Sequence, residues 1–304
     1  MSVVTRFAPA PTGELHLGHV LNAIIVWGVA RGLGGRILLR IEDHDRQRSR
    51  HEFETSILDD LDWLGFIADT PATEALRAGR CVDGRQSDRH AIYAHALERL
   101  KARGLVYACE CSRAQIASGS AGDREIRYPG TCAGKQLAEG PGRGLRVRLE
   151  RSVERFVDLR HGPQEQIPAE QCGDVLVRDR EGNYTYQFVA AVDDTAQNVT
   201  LVIRGDDLLA STGRQMQLAR LLGRHEPPQF LHHALIMKSP TQKLSKADRD
   251  TSVADLRRAG WPPEAVIGRA AALGGLVDPE APLSAEAAAA MAHARFESVT
   301  ESLR

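Results

Sequence analysis

An α/β fold on an open sheet of parallel strands is predicted by three observations near the start of this 304-residue chain. Residues 3–8 read as a short strand, residues 15–31 as an apolar helix closed by Gly32 and Gly34-Gly35, and residues 36–41 as a second strand. A strand, a helix and a strand within about forty residues make the βαβ unit of a parallel sheet, whose ligands gather at the carboxyl ends of the strands. Glu42, Asp43 and Asp45 fall at such an end.

The remaining elements follow in order. Ser49 to Glu52 fits a capping box, after which Phe53, Ile57, Leu61 and Leu64 recur at helical spacing up to Gly65. Ile92, Ala96, Leu97 and Leu100 place one face of a helix over residues 88–103, and Gly104 ends it. From 108 to 144 the chain is rich in Gly, Ser and Cys, the mark of an insertion. Residues 145–150 alternate as a strand, and 174–189 read as a hairpin around Glu181-Gly182-Asn183. A strand at 200–204, a helix at 212–222 and a strand at 234–237 come next, then short helices including the alanine-rich 284–294. This divides the chain into 1–107 and 145–248, two halves of one catalytic domain, an insertion at 108–144, and a helical C-terminal region at 249–304.

Lys+Arg 39 against Asp+Glu 40 gives a formal net charge of -1, so nucleic-acid binding, if present, rests on a local basic patch. Arg143, Arg146, Arg148 and Arg151 are a candidate stretch, with a solvated strand face as the alternative. The start has no basic segment followed by an apolar one, and the early apolar run contains Asn22 and is too short to span a bilayer. No membrane partner and a cytoplasmic location are the default expectations. Nothing fixes the oligomeric state, for which a monomer is the default.

Two motifs carry chemistry. Ala8-Pro9-Ala10-Pro11-Thr12-Gly13-Glu14-Leu15-His16-Leu17-Gly18-His19 is a stiff loop entering a helix with two histidines three residues apart, on one face. The helix start offers unpaired N–H groups, and Gly18 lets a planar base approach the backbone. Lys243-Leu244-Ser245-Lys246 puts two ammonium groups in a later loop, suited to phosphates that gain charge during in-line attack. Each motif alone reads better as solvated surface, and their pairing favours an ATP site.

That pair resembles the HIGH and KMSKS signatures of class I aminoacyl-tRNA synthetases, with Leu17, Leu244 and Ala247 as departures. Arg6-Phe7-Ala8-Pro9, Arg40-Ile41-Glu42-Asp43-His44-Asp45, Tyr186 with Asp193-Asp194, and Val202 to Leu208 are similar to the glutamyl subgroup, over about residues 3–248. The resemblance implies a Rossmann-like catalytic domain with a parallel sheet, a zinc-containing insertion and a short helical C-terminal region. It implies ATP binding at His16, Gly18, His19 and Lys246, with His16, His19, Lys243 and Lys246 acting in catalysis. It assigns L-glutamate to Arg6, Phe7, Ala8, Pro9, Ala10, Glu42, Tyr186 and Arg204. That set is chemically coherent: guanidinium groups of Arg6 and Arg204 suit a carboxylate, Glu42 an ammonium, and Tyr186 supplies a phenol.

Cys109-Glu110-Cys111 and Cys132 offer three thiolates, enough with one more ligand for a closed structural zinc site, while buried free thiols are the alternative that the spacing leaves open. Similarity to the small tRNA-glutamylating paralogues, which share Cys-x-Cys and Tyr-x-x-x-Cys, implies one Zn2+ with Tyr128 as fourth ligand. Cys81 and Cys172 read as plain buried thiols. A full glutamyl-tRNA synthetase continues into a large anticodon-binding region, whereas fifty-eight residues follow Lys246 here (304 − 246), and on that ground the chain resembles the glutamyl-Q-tRNA(Asp) synthetases. The implied activity is activation of glutamate by ATP with Mg2+ and transfer to queuosine in the tRNA(Asp) anticodon stem-loop. A minimal enzyme charging the 3′ end of tRNA(Glu) and a non-catalytic RNA-binding paralogue are the alternatives.

Overall fold

The structure, a computed structural model, describes residues 2–81, 83–118, 125–239, 242–243 and 251–303. Its opening unit is the expected one: β1 (Val4–Phe7), α1 (Leu17–Gly32) and β2 (Arg36–Leu39), with β1 and β2 parallel and Val4 opposite Arg36. From Val20 to Ala30 every residue of α1 but Asn22 is buried. A helix apolar on all sides has to be enclosed on all sides.

The elements that follow are α2 (His51–Leu64), α3 (Thr73–Arg77), α4 (His90–Ala102), β3 (Val106–Cys109), α5 (Arg113–Ser118), β4 (Gly144–Val147), β5 (Glu154–Asp158), β6 (Gly162–Gln166), α6 (Pro168–Gln171), β7 (Val175–Arg178), α7 (Tyr186–Ala196), β8 (Leu201–Gly205), α8 (Thr212–Leu221), β9 (Gln229–His233), β10 (Met237–Ser239), β11 (Gln242–Lys243), α9 (Val253–Arg258), α10 (Pro263–Leu273) and α11 (Ala285–Thr300), of which β8, α10 and α11 pack on α1 beside β1 and β2. Strands β6-β5-β9-β8 form one sheet, with β8–β9 and β9–β5 parallel and β6 an antiparallel edge. Thr200 N donates to Val4 O at 2.8 Å and so sets β8 beside β1. On the other side α10 and α11 pack on α1. Among the described residues no helix is long and apolar enough to cross a membrane.

A second, antiparallel sheet, β3-β4-β7, has its own core of Leu97, Leu100, Leu145, Val177 and Phe188. Cys109 pairs with Gly144, so the cysteine-rich segment leaves and rejoins the sheet at one point.

Several local expectations change. The turn at Gly182 exists, with φ of 91° and Arg178 bridging Tyr184, but Tyr186 opens α7 instead of a return strand. Burial decides this: Phe188, Val189 and Val192 share the α7 face packed on the second core, a 3–4 residue period rather than an alternating one. Ser49 caps nothing; Arg50 is the N-cap of α2 without a side-chain bond, its own N–H being held by Pro11 O at 2.9 Å. The strand expected at 234–237 lies earlier, at β9, and β10 starts only at Met237. Of the arginines offered for phosphates, Arg146 turns inward and is buried, while Arg151 pairs with Glu170.

The α1–α11 contact depends on Gly28, where a Cβ would lie 2.4 Å from Ala289 O and 2.8 Å from Ala292 Cβ. Gly28→Ala is expected to destabilise the protein by about 1–3 kcal/mol through overpacking. Urea unfolding reads this directly, and an unchanged midpoint would mean that α11 does not pack this closely.

Candidate active site

Strand ends build the site. Arg6 on β1, the Ala8 and Ala10 that follow it, Glu42 and His44 beyond β2, Arg204 on β8 and Tyr186 at the start of α7 line one cleft of about 810 Å3, with His16, Gly18 and His19. Phe7 and Pro9 do not line it. Alternation along the strand turns Phe7 away from Arg6 into the core, 5.5 Å from the Trp27 ring, and Pro9 is buried with its carbonyl accepting from Glu42 N.

His16 is the N-cap of α1, and the two histidines form a reciprocal capping box. Gly18 N donates to His16 Nδ1 and His16 N donates to His19 Nδ1, both at 3.1 Å. With Nδ1 accepting in each ring, a neutral imidazole carries its proton on Nε2. The rings lie 3.9 Å apart, so two N–H donors are held side by side at the positive end of α1. Gly18 serves this arrangement in a way its sequence context did not suggest: a Cβ there would sit 2.9 Å from His16 Cε1.

Lys243 falls within the described residues only as backbone, paired with Met237. Lys246 lies outside them. Beyond that segment the chain returns to the histidine loop, where Val253 N donates to Leu15 O at 2.8 Å and Ser252 bridges His16.

Behind the cleft lies a buried charge network. Asp194 Oδ1 accepts from Arg6 Nε at 3.2 Å and Arg40 Nη1 at 2.8 Å, and Arg40 Nη2 donates to Glu42 at 3.0 Å. Arg89 Nε and Tyr93 OH hold Asp193 at 2.7 and 2.9 Å. Burial alone would push the Asp194 carboxyl up, but Arg6 and Arg40 pull it down to about 2. Arg6 therefore already has a carboxylate. Arg204 differs: it donates to His232 Nε2 at 2.9 Å, Gln215 Oε1 at 2.6 Å and Thr212 Oγ1 at 2.9 Å and meets the Tyr186 phenol, none of them anionic, while Asp194 acts on it only through space. Burial lowers its guanidinium pKa, as expected of a cation taken out of water. A buried cation ringed by neutral acceptors, at the wall of a cleft, is suited to an anionic group of a ligand.

Away from this cleft, Cys109, Cys111 and Cys132 bring their Sγ atoms within 4.8 Å of one another. Cys111 Sγ and Cys132 Sγ are 3.6 Å apart, near the ~3.8 Å separation implied by tetrahedral zinc with Zn–S of about 2.3 Å. Tyr128 OH lies 3.5 Å from Cys109 Sγ and accepts from Cys132 N at 2.8 Å. Arg146 donates to Cys109 Sγ at 3.3 Å and stacks on the Tyr128 ring at 3.7 Å. Desolvation would raise the Cys109 pKa, yet the hydrogen bonds to Tyr128 and Arg146 lower it. The donor set fits zinc, and the guanidinium would offset the excess negative charge of three thiolates on a bound ion. Of the other cysteines, Cys172 is buried and Cys81 half-buried.

Sequence reasoning missed the partners of Arg204. Two histidines ending an otherwise apolar strand, Phe230-Leu231-His232-His233, were the available signal, since a buried strand histidine needs a partner.

The family model described as tRNA synthetases class I (E and Q), catalytic domain, matches residues 2–282. A glutamyl-Q tRNA(Asp) synthetase of Symbiobacterium thermophilum is 40% identical over 92% of this chain and 89% of its own length. Another from Rhodobacter capsulatus is 38% identical over 86% and 97%. Among solved structures, a glutamate tRNA ligase from Elizabethkingia meningosepticum in complex with its amino acid superposes with a TM-score of 0.76 at 26% identity, over 95% of this chain and 64% of that one. The chain belongs to the class I tRNA synthetase family for glutamate and glutamine, among relatives named glutamyl-Q tRNA(Asp) synthetase, and is a ligase of the aminoacyl-tRNA synthetase type.

Proposed function

We propose that this chain activates L-glutamate with ATP to glutamyl-adenylate and transfers the glutamyl group to queuosine in the anticodon loop of tRNA(Asp). The observation that carries the first half is the cleft lined both by the paired histidines of α1 and by Arg204, a buried cation with neutral hydrogen-bond partners. Arg204 takes the side-chain carboxylate, with Tyr186 and Arg6 beside it, and Glu42 meets the ammonium. His16 and His19 donate Nε2–H to the triphosphate, and Lys243 and Lys246 follow the β- and γ-phosphates. The glutamate α-carboxylate attacks the α-phosphate in line and pyrophosphate leaves; Mg2+ offsets phosphate charge. Positioning and electrostatics supply the rate. A hydroxyl of the RNA then attacks the mixed anhydride, with the leaving phosphate as proton acceptor.

Support for the acceptor comes from relatives of that name, matched over nearly their whole length. Glutamate-dependent ATP–pyrophosphate exchange without tRNA tests the first half, and a choice-of-tRNA assay the second. Absence of exchange would favour a non-catalytic paralogue.

The cysteine cluster is read as a structural zinc site held by Cys109, Cys111, Tyr128 and Cys132. Protein purified without added metal is expected to carry about one zinc per chain by elemental analysis, and Cys109→Ser/Cys111→Ser to lose it and melt at lower temperature. Zinc retained in the double variant would remove the assignment.

A further inference from the structure

Arg204 is aimed by a chain of hydrogen bonds that crosses three strands of the main sheet. Arg204 on β8 sits opposite His232 on β9, and its Nε donates to His232 Nε2 at 2.9 Å. His232 Nδ1 in turn meets Asp158 Oδ2 at 2.7 Å, from the end of β5. Asp158 and His232 are fully enclosed, and Arg204 nearly so. We propose that Asp158 and His232 are a positioning pair that fixes Arg204 for the substrate's side-chain carboxylate, by locking His232 in the tautomer that is protonated on Nδ1 and bare on Nε2. This rests on the reading that Arg204 binds the glutamate side chain.

The argument is a count of donors and acceptors. A guanidinium only donates, so the His232 atom facing it has to be a bare nitrogen. A neutral imidazole has one bare nitrogen, so the proton sits on Nδ1, and that atom needs an acceptor. Asp158 provides it and has no donor of its own. Its Oδ2 also accepts from His232 N at 3.1 Å, while Oδ1 accepts from Arg160 N at 3.0 Å and His161 N at 2.9 Å. All four contacts are donors to the carboxylate, which fixes the orientation of Asp158 as firmly as that of the ring. Thr212 Oγ1, which accepts from Arg204 Nη2, stands 3.4 Å from the same His232 nitrogen, a longer second contact. On the far side of the guanidinium, Gln215 Oε1 takes Nη1, and Gln215 Nε2 is held by Gln187 Oε1 at 2.9 Å, which settles which end of that amide faces Arg204.

A neutral anchor is the design that specificity for an acid requires. If a carboxylate held Arg204 directly, as Asp194 holds Arg6, the guanidinium charge would be spent within the protein. Interposing an imidazole fixes the geometry and leaves the positive charge for a ligand. Burial lowers the His232 pKa and the hydrogen bond that the ring donates to Asp158 only partly opposes this, which keeps the ring neutral at neutral pH.

The alternatives predict different outcomes for three substitutions. Asp158→Asn presents an NH2 group to one of the two donor pairs. If that group faces His232, Nδ1 has to become the acceptor, the proton moves to Nε2, and an N–H then points at the Arg204 N–H. His232→Leu removes the acceptor altogether. His232→Gln places a carbonyl oxygen near the Nε2 position and retains it.

The test is steady-state ATP–pyrophosphate exchange on the full chain with glutamate and glutamine as competing substrates, run beside 15N NMR of histidine-labelled protein. His232→Leu is expected to raise KM for glutamate about 10- to 100-fold and shrink the preference over glutamine, with KM for ATP within about twofold, and Asp158→Asn to do the same where 15N NMR shows its His232 proton moved to Nε2. His232→Gln should recover most of the loss. In the unsubstituted protein the His232 resonance should report Nδ1–H. Glutamate KM unchanged in His232→Leu, or an Nε2–H tautomer in the unsubstituted protein, would overturn the proposal; the second reading decides even if a variant fails to fold. Arg204→Ala in the same assay separates the two levels. Should it raise the glutamate KM while His232→Leu does not, the pair is wrong and the pocket right; should Arg204→Ala itself change nothing, the pocket and the pair both fall.

Discussion

Replacing Arg204 by alanine is expected to lower kcat/KM for glutamate in ATP–pyrophosphate exchange by about 100- to 1000-fold, and to erase most of the preference over glutamine. The size follows from what is removed. A buried charged hydrogen-bond partner of a carboxylate is worth about 2–5 kcal/mol when truncated, at roughly 1.4 kcal/mol per tenfold. Arg204 is the guanidinium of the cleft whose hydrogen-bond acceptors among the described residues are all neutral; the Asp194 carboxylate acts on it through space without a hydrogen bond to it. Glutamine presents an amide whose NH2 end meets a guanidinium unfavourably, which is why the same substitution should affect glutamine less. A variant that keeps its full discrimination would place the side-chain pocket elsewhere in the cleft. Arg6 would then be the next candidate, at the cost of separating it from Asp194.

Lys246→Ala is expected to cut the exchange rate by about 100- to 1000-fold while ATP affinity changes only a few-fold. Charge accumulates on the phosphates as pyrophosphate departs, so an ammonium that follows the β- and γ-phosphates contributes more in the transition state than in the bound nucleotide. The chain that follows, from Ser252, is tied to the histidine loop by Val253 N on Leu15 O and the Ser252–His16 bridge. Equal losses in rate and in ATP binding, measured by exchange kinetics and equilibrium titration, would make Lys246 a ground-state anchor instead.

How much of this was legible in the sequence depends on the range of the interactions involved. The βαβ start was legible because α1 is apolar from Val20 to Ala30 but for Asn22 and is closed by glycines, a local pattern with one structural solution. The histidine loop was found, but not its geometry. A capping box needs the backbone conformation of His16, which is extended at φ −128°, and spacing alone reads as two residues of one helical turn. Tyr186 was placed in the site and assigned to the wrong element, because the turn signal at Gly182 is the same whether a strand or a helix follows it. Asp158, Thr212, Gln215 and His232 converge on Arg204 from β5, α8 and β9, and no sequence spacing joins them. The cysteine cluster lies between: three cysteines were legible as a candidate ligand set, whereas the place of Arg146 against Cys109 was not, its stretch reading either as a candidate for phosphates or as a solvated strand face.

The central claim concerns which atom of which RNA receives glutamate, and transfer of labelled glutamate measures it most directly. Queuosine-containing tRNA(Asp) should be labelled, should still be labelled after its 3′-terminal adenosine is removed, and should not be labelled when made without the modified base. Labelling of tRNA(Glu) that is abolished by trimming its 3′ end would contradict the account and identify a small synthetase of the conventional kind.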